Sequence, residues 1–408
     1  MCCGSGWVTR LRLAAILLAG LLLAACASAP QPVGGASSPD RGKDAAPTEE
    51  APAREASSPD RGKDAAPAKT PDKSTLRVSI AAVGDMMLGT DFPENHLPDD
   101  DGIGFLAAVT EALSAADITF GNLEGVLMDG GEPVKKCSNP RACYLFRSPT
   151  RYARYLADAG FDVMSLANNH ARDFGEEGRD SSMQALADAG IHHSGREGDF
   201  ASLEVNGLKV AVLAYAVTKN SNMLLDYALS EQTVSQFAES HDIVVVSFHG
   251  GAEGRDVTHL PFAEEEYYGE PRGDVVKWSR MVVDAGADLV VGHGPHVVRA
   301  MERYKDRLIA YSLGNFATYY GISVADIKGV APILRVTLDG EGRFVEGDIV
   351  STRQIRPAGP SIDPEQRALR LMRMLSIEDF EKPGVTFLPD GKIIPASRGK
   401  NAAPTVTP

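Results

Sequence analysis

The sequence predicts an α/β domain of mixed β-sheets flanked by helices, preceded by a disordered N-terminal tether. Three observations predict it. Apolar runs of strand length alternate with helical stretches between residues 76 and 317. Several helical stretches stop at a glycine, as C-terminal caps do. Residues 27–74, by contrast, carry almost no large apolar side chains and so cannot bury enough surface to offset their ordering entropy.

The elements follow in order. Leu76–Val83 is a β-rich run ending in Gly84-Asp85. Ile103–Ala115 reads as helical, and Asp117–Phe120 as a short strand ending in Gly121-Asn122-Leu123-Glu124. Ser148-Pro149 offers a cap and a first-turn proline for a helix running to Ala159, stopped by Gly160. Phe161–Leu166 is a strand ending in Ala167-Asn168-Asn169-His170, and a helix over Glu176–Ala189 stops at Gly190. Asn206-Gly207 marks a hairpin turn before the strand Lys209–Ala216. Residues 231–240 are helical. Ile243–Phe248 is a buried-looking strand ending in His249-Gly250-Gly251. Lys277–Ala285 is helical and stops at Gly286. The strands Leu289–Val291 and Arg307–Leu313 end in Gly292-His293-Gly294-Pro295-His296 and Gly314-Asn315-Phe316.

Composition excludes several classes. The 408 residues are 43% hydrophobic and 24% charged, which rules out a polytopic membrane protein, a fibre or a wholly disordered chain. A net charge of −14 argues against nucleic acid as a partner.

Residues 1–25 read as a secretory signal. Arg10 and Arg12 precede the apolar run Leu13–Leu23, which is too short to cross a bilayer as a helix needing about 20 residues. Leu23-Ala24-Ala25-Cys26 resembles the lipobox of bacterial lipoproteins. That resemblance implies lipidation at Cys26, anchorage to the membrane, and residence in the cell envelope outside the cytoplasm. The plainer alternative is a signal cut near Ala29. Residues 26–74 then form the tether, in which the stretch from Ala36 to Pro47 recurs from Ala56 to Pro67. The folded domain is expected over 75–395, with a frayed tail over 396–408. Cys137 and Cys143 flank an Asn-Pro turn and are expected to form a local disulfide, since no further cysteine is at hand for a thiolate metal site.

Polar residues fall at the strand ends. Asp85, Glu124, Asn169-His170, His249 and His293/His296 each lie just past a predicted strand, where open α/β sheets bind ligands. Together they make a metal-site inventory. The other histidines, His96, His192, His193, His241 and His259, sit in weak contexts.

These motifs resemble the CapA family of capsule and poly-γ-glutamate synthesis proteins, whose fold is similar to that of the calcineurin-like metallophosphoesterases. The matching stretches, in order, are Gly84–Gly89, Asn122–Glu124, Asn168–Gly175, His249–Glu253, Gly292–Val297 and Tyr311–Phe316. The resemblance implies a metallo-dependent phosphatase-like sandwich with one or two divalent ions, Mn, Fe or Zn. One ion would lie on Glu124, Asn169, His249 and His293, and the other on Asp85, Glu124 and His296. Two such ions can clamp the attacking and leaving oxygens of a phosphoester. His170 would act as a general acid, or stabilise developing charge, with Asp173 orienting its ring. Glu253 is read as a partner that orients His249, the alternative being a solvent-facing carboxylate, and Asn315 as a residue satisfying backbone groups beside the cleft, the alternative being a ligand.

The chain departs from the phosphoesterase pattern. Met87 stands where those enzymes place a histidine, and a thioether is a poor ligand for a hard cation. His293 and His296 are spaced more widely than the phosphoesterase His-x-His, and Gly250 replaces a tryptophan common in the CapA family. Residues 255–273 read as an insertion near the cleft, with Glu264, Glu265, Glu266, Tyr267 and Tyr268. They either shape substrate access or, as the plainer reading has it, form a solvated loop. The function expected is an envelope-anchored, metal-dependent hydrolase acting with the capsule synthesis machinery on an anionic polymer. The alternative is a non-catalytic assembly or export factor that uses the cleft for binding.

Overall fold

The computed structural model describes residues 72–136 and 144–397. Cys26, nearly all of the tether, the loop holding Cys137 and Cys143, and residues from 398 onward lie outside the described residues. Among the described residues, no helix is long and apolar enough to cross a membrane.

Two sheets face each other, with helices on their outer faces. At the centre of the first sheet runs Arg77–Met87. It pairs in parallel with Ile118–Leu123 and antiparallel with Val330–Asp339. Val163–Ser165 and His192–Ser194 extend the parallel side, and Phe344–Gln354 extends the antiparallel side. The second sheet has six strands. Four of them, Leu208–Ala216, Ile243–His249, Leu289–His293 and Arg307–Ala310, are parallel neighbours. Ala201–Val205 and Met301–Tyr304 pair antiparallel at its two edges.

Period-2 alternation explains the layering. Side chains of successive strand residues point to opposite faces. Val78, Ile80, Ala82, Ile118 and Phe120 therefore meet Val210, Val212, Val245, Leu289 and Val291 in one core between the sheets. The alternate residues Ala81, Val83 and Met164 pack instead under Leu113, Leu156 and Leu186. On the other side, Leu213, Val244, Val246 and Val290 pack under Val234, Trp278 and Val282. The helices that supply these covers are Thr110–Leu113, Tyr152–Asp158, Gly175–Asp188, Tyr227–Ser240 and Val275–Asp284.

Strand register sets the candidate residues side by side. Asp85 is level with Asn122, and Asn122 with Ser165, just ahead of the Asn169-His170 loop. In the second sheet, His249 is level with His293.

The structure corrects several sequence expectations. Asp85 lies within its strand, because Asn315–Thr318 pairs in parallel with Asp85–Met87 and prolongs it. Asn315 thus opens a strand of its own. Of the helix expected over Ile103–Ala115, only Thr110–Leu113 is α-helical. The Asp100 carboxylate accepts from the Gly102 and Gly104 amides and holds the preceding residues in successive turns. Ser148 is not a helix cap. It sits in a two-residue strand and its hydroxyl donates to the Gly89 carbonyl, while the helix begins at Tyr152. The long hairpin of Val330–Asp339 and Phe344–Gln354 is not among the elements expected from sequence, although Leu334 to Leu338 alternates in the strand manner.

Gly84 lets Asp85 reach its position. A Cβ at Gly84 would lie 1.9 Å from the carbonyl oxygen of Gly314, the same oxygen that accepts from the Asp85 amide at 2.8 Å. Gly84→Ala must therefore push two backbones apart. We expect a loss of stability of about 1–3 kcal/mol or more, read as a lower urea midpoint; an unchanged midpoint would contradict the close approach.

Candidate metal centre

The cleft is built from the carboxyl ends of both sheets. Asp85 is fully buried. Its Oδ1 accepts from Asn122 Nδ2 at 2.9 Å and lies 3.4 Å from His293 Nδ1. Its Oδ2 lies 2.9 Å from His296 Nδ1. Glu124, one residue past its strand, is also fully buried, and its Oε1 lies 3.6 Å from both His249 Nε2 and His296 Nε2. Single ligand atoms of Asp85, Glu124 and His249 all fall within 4.8 Å of one another, a group able to hold a metal ion.

The neighbouring charges set the ionisation states. Burial, with the nearby Arg272 cation, pushes the His249 imidazole down to about 3, so it is neutral with a lone pair to offer. Burial drives the Glu124 carboxyl upward, against the pull of His296. Burial alone would raise Asp85 too, but the adjacent His293 and His296 imidazoles outweigh it and hold that carboxyl far below the usual range. For His296 burial lowers the basicity, yet Glu124, Asp85 and Glu253 together raise it above the ordinary imidazole value.

A second group lies beside the first. His170 Nδ1 is 2.7 Å from Asp173 Oδ2, and the same oxygen accepts from the Phe146 amide at 2.9 Å. With Nδ1 engaged, Nε2 is the nitrogen left for proton transfer. The Phe146 ring packs on the imidazole with centroids 4.3 Å apart. Lys135 Nζ lies 2.9 Å from Asp173 Oδ1 and 3.4 Å from His170 Nδ1.

Other expected residues fall as follows. Asn169 is half-buried, with a buried Oδ1. Asn315 Nδ2 lies within hydrogen-bond reach of the carbonyls of His296, Ser323 and Lys328, while its Oδ1 lies 3.0 Å from His296 Nδ1. Glu253 does not pair with His249. Its Oε1 is 3.0 Å from Arg272 and its Oε2 is 3.7 Å from His296 Nε2, because the positive φ of Gly251 turns the chain toward the buried arginine. Residues 255–273 are not simply a solvated loop. Glu265 is buried and forms a two-pronged ion pair with the fully buried Arg299, at 2.9 and 2.7 Å, at the root of a hairpin of Glu265–Tyr267 and Glu270–Gly273. Tyr268 at the tip remains exposed.

Sequence reasoning gave no role to three residues that organise the site. Asn122 Oδ1 accepts from Asn168 Nδ2 at 3.1 Å, and Asn168 Oδ1 accepts from the His170 amide at 3.0 Å, so two asparagines tie Asp85 to the His170 loop. Both stand next to assigned residues inside the motifs, which was the available signal. Lys135 comes from a loop without a motif and carried none.

Whether these residues suit a cation is decided by their unused lone pairs. Both carboxylate oxygens of Glu124, Oδ1 of Asn169, and both ring nitrogens of His249 and of His293 are buried without a hydrogen-bond partner. Burying such groups unpaired costs several kcal/mol in all at about 1–3 kcal/mol each. A divalent ion would satisfy oxygen and imidazole donors together.

The family described as bacterial capsule synthesis protein PGA_cap matches residues 79–320. The chain belongs to this family. It is 29% identical over 262 residues to the capsule biosynthesis protein CapA of Bacillus anthracis, covering 59% of this chain and 59% of that protein. It is also 29% identical over 272 residues to the PGA biosynthesis protein CapA of Bacillus subtilis, covering 61% and 66%. The match thus spans less than two thirds of either relative's length. Among solved structures, a putative 5'-nucleotidase from Staphylococcus aureus in complex with alpha-ketoglutarate aligns with a TM-score of 0.40 at 14% identity, over 74% of this chain and 58% of that one. The purple acid phosphatase PPD1 of yellow lupin aligns with a TM-score of 0.36 at 10% identity, over 76% and 57%.

Asp173 supports a stability test. Burial opposes its ionisation, but His170 and Lys135 hold the carboxyl below its ordinary value of 3.8. Its contribution is therefore present above pH 3.8 and is lost as pH falls through the lower folded value. Asp173→Ala, which strands the Phe146 amide and Lys135, should cost about 2–4 kcal/mol at pH 7 and much less in strong acid. Urea unfolding at the two pH values checks this; equal losses at both would refute it.

Proposed function

We propose that this chain is an envelope-anchored capsule-family protein whose cleft is a metal-dependent hydrolytic site, acting in the synthesis or processing of an anionic capsule polymer such as poly-γ-glutamate. The observation that carries the reading is the set of buried, unpaired donors on Glu124, Asn169, His249 and His293 at the meeting of the two sheets. Membership of the capsule synthesis family supports the biological setting. The names of the CapA relatives support the polymer.

The residues divide the chemistry. Glu124, Asn169, His249 and His293, with Asp85 and His296 beside them, would hold the divalent cation. Once bound, that cation supplies Lewis-acid polarisation and a more acidic water. Asp173 fixes His170 so that its Nε2 can pass a proton to a leaving oxygen. Lys135 offers positive charge to the same edge of the cleft. The exposed Tyr268 hairpin borders the approach, with Tyr267 near enough to Glu253 that this carboxylate adds to the burial that pushes the phenol up to about 12.

Elemental analysis of the purified protein should find a retained transition-metal ion. Hydrolysis of a generic phosphodiester such as bis-p-nitrophenyl phosphate should fall at least 100-fold in Asp85→Ala and His249→Ala. Metal-free protein of native stability would refute the site. A retained metal with no hydrolysis, and capsule assembly intact in both variants, would identify a binding factor instead.

The anchor is a separate expectation. In cells, Cys26→Ser should move the protein from the membrane fraction to the soluble fraction and abolish labelling by a fatty-acid probe. Labelling that survives the substitution would refute lipidation at this cysteine.

A further inference from the structure

The metal reading above leaves open how many ions the cleft takes. The residues implied for two ions fall into two sets that the structure treats differently. In the first set, on Glu124, Asn169, His249 and His293, the ligand atoms are buried and bonded to nothing. The 3.6 Å spacing between Glu124 Oε1 and His249 Nε2 suits neighbouring ligands on one ion.

In the second set, apart from the shared Glu124, His296 Nδ1 and both Asp85 oxygens are already engaged, and only His296 Nε2, 3.6 Å from Glu124 Oε1, is left without a hydrogen bond. His296 Nδ1 is engaged by Asp85 Oδ2 at 2.9 Å and by Asn315 Oδ1 at 3.0 Å. Asn315 is itself fixed by three backbone carbonyls, so this arrangement is held from behind. The remaining oxygen of Asp85 accepts from Asn122. Met87, where the fourth ligand of this set would stand, is buried in an apolar cluster with Phe146 and Ile322. A second ion would have to break the Asp85–His296 contact and would find no donor at Met87. Glu253, paired with Arg272 through Oε1, places its Oε2 3.7 Å from His296 Nε2.

We propose that the cleft holds one divalent cation, among Glu124, Asn169, His249 and His293 with Asp85 at its edge, and that His296 is a hydrogen-bonded positioning residue rather than a ligand. This inference rests on the metal reading of the cleft and narrows it.

The test uses the full mature chain, loaded with Mn(II) and dialysed. Mass spectrometry of the metal content should give one manganese per chain, and electron paramagnetic resonance should show the six-line pattern of an isolated ion. His293→Ala should lose the ion, whereas His296→Ala should keep one. If His296→Ala does not fold by circular dichroism, His296→Gln, which retains a hydrogen-bonding group, takes its place. Two ions per chain, an exchange-coupled signal, or loss of the ion in the folded His296 variant would overturn the inference while leaving the metal reading intact. No retained manganese at all would overturn both.

Discussion

Everything in the cleft depends on two buried carboxylates being brought against imidazoles by strand register. Asp85 and Glu124 have no exposed surface. A carboxylate in such a place is tolerable only with a partner of opposite charge, a set of donors, or a cation. Asp85 has its donors in Asn122 and His296, whereas neither oxygen of Glu124 accepts a hydrogen bond among the described residues. The difference between these two acids gives the site its polarity. One side is a closed hydrogen-bonded network, and the other is a set of buried atoms without hydrogen-bond partners.

Two layers of support keep that arrangement in place. On the first sheet, Asn122 and Asn168 link neighbouring strand ends, so the Asp85 strand, the Glu124 turn and the His170 loop are fastened together by side-chain amides. On the second sheet, two buried arginines pin the 251–273 segment. Arg299 grips Glu265, and Arg272 donates to the Gly251 carbonyl and pairs with Glu253. Guanidinium groups suit this because their planar fork satisfies a carboxylate through two donors at once. The hairpin is therefore a fixed wall at its root, with its aromatic tip left free to meet whatever enters.

Much of the candidate site was legible in the sequence because its acids and imidazoles stand at or next to strand ends. Asp85, Glu124, His249 and His293 were found by that rule, and the structure brings them together. Asn169 and His170 follow the same rule through a short loop. The partner of Glu253 was misread because sequence proximity to His249 suggested a contact that the turn at Gly251 redirects to Arg272. Lys135 had no strand or motif to announce it, and only the folding of its loop over Asp173 gives it a place. The helix expected over Ile103–Ala115 had the right apolar spacing, yet the Asp100 carboxylate competes locally for the backbone amides. The strands after residue 330 carried an alternating pattern that was readable and was not read.

The sequence by itself determined the alternation of strands and helices, the donor types available, and membership of a capsule synthesis family whose motifs span 79–320. Those properties are local, since they follow from periodicity, turn residues and short motifs. Only the tertiary structure decided which donors are left unpaired and which are used up. That outcome depends on contacts between residues far apart in the chain, 211 positions in the Asp85–His296 pair. No local propensity encodes such a distance; it is set by the register of the strands and by the two sheets closing on one core.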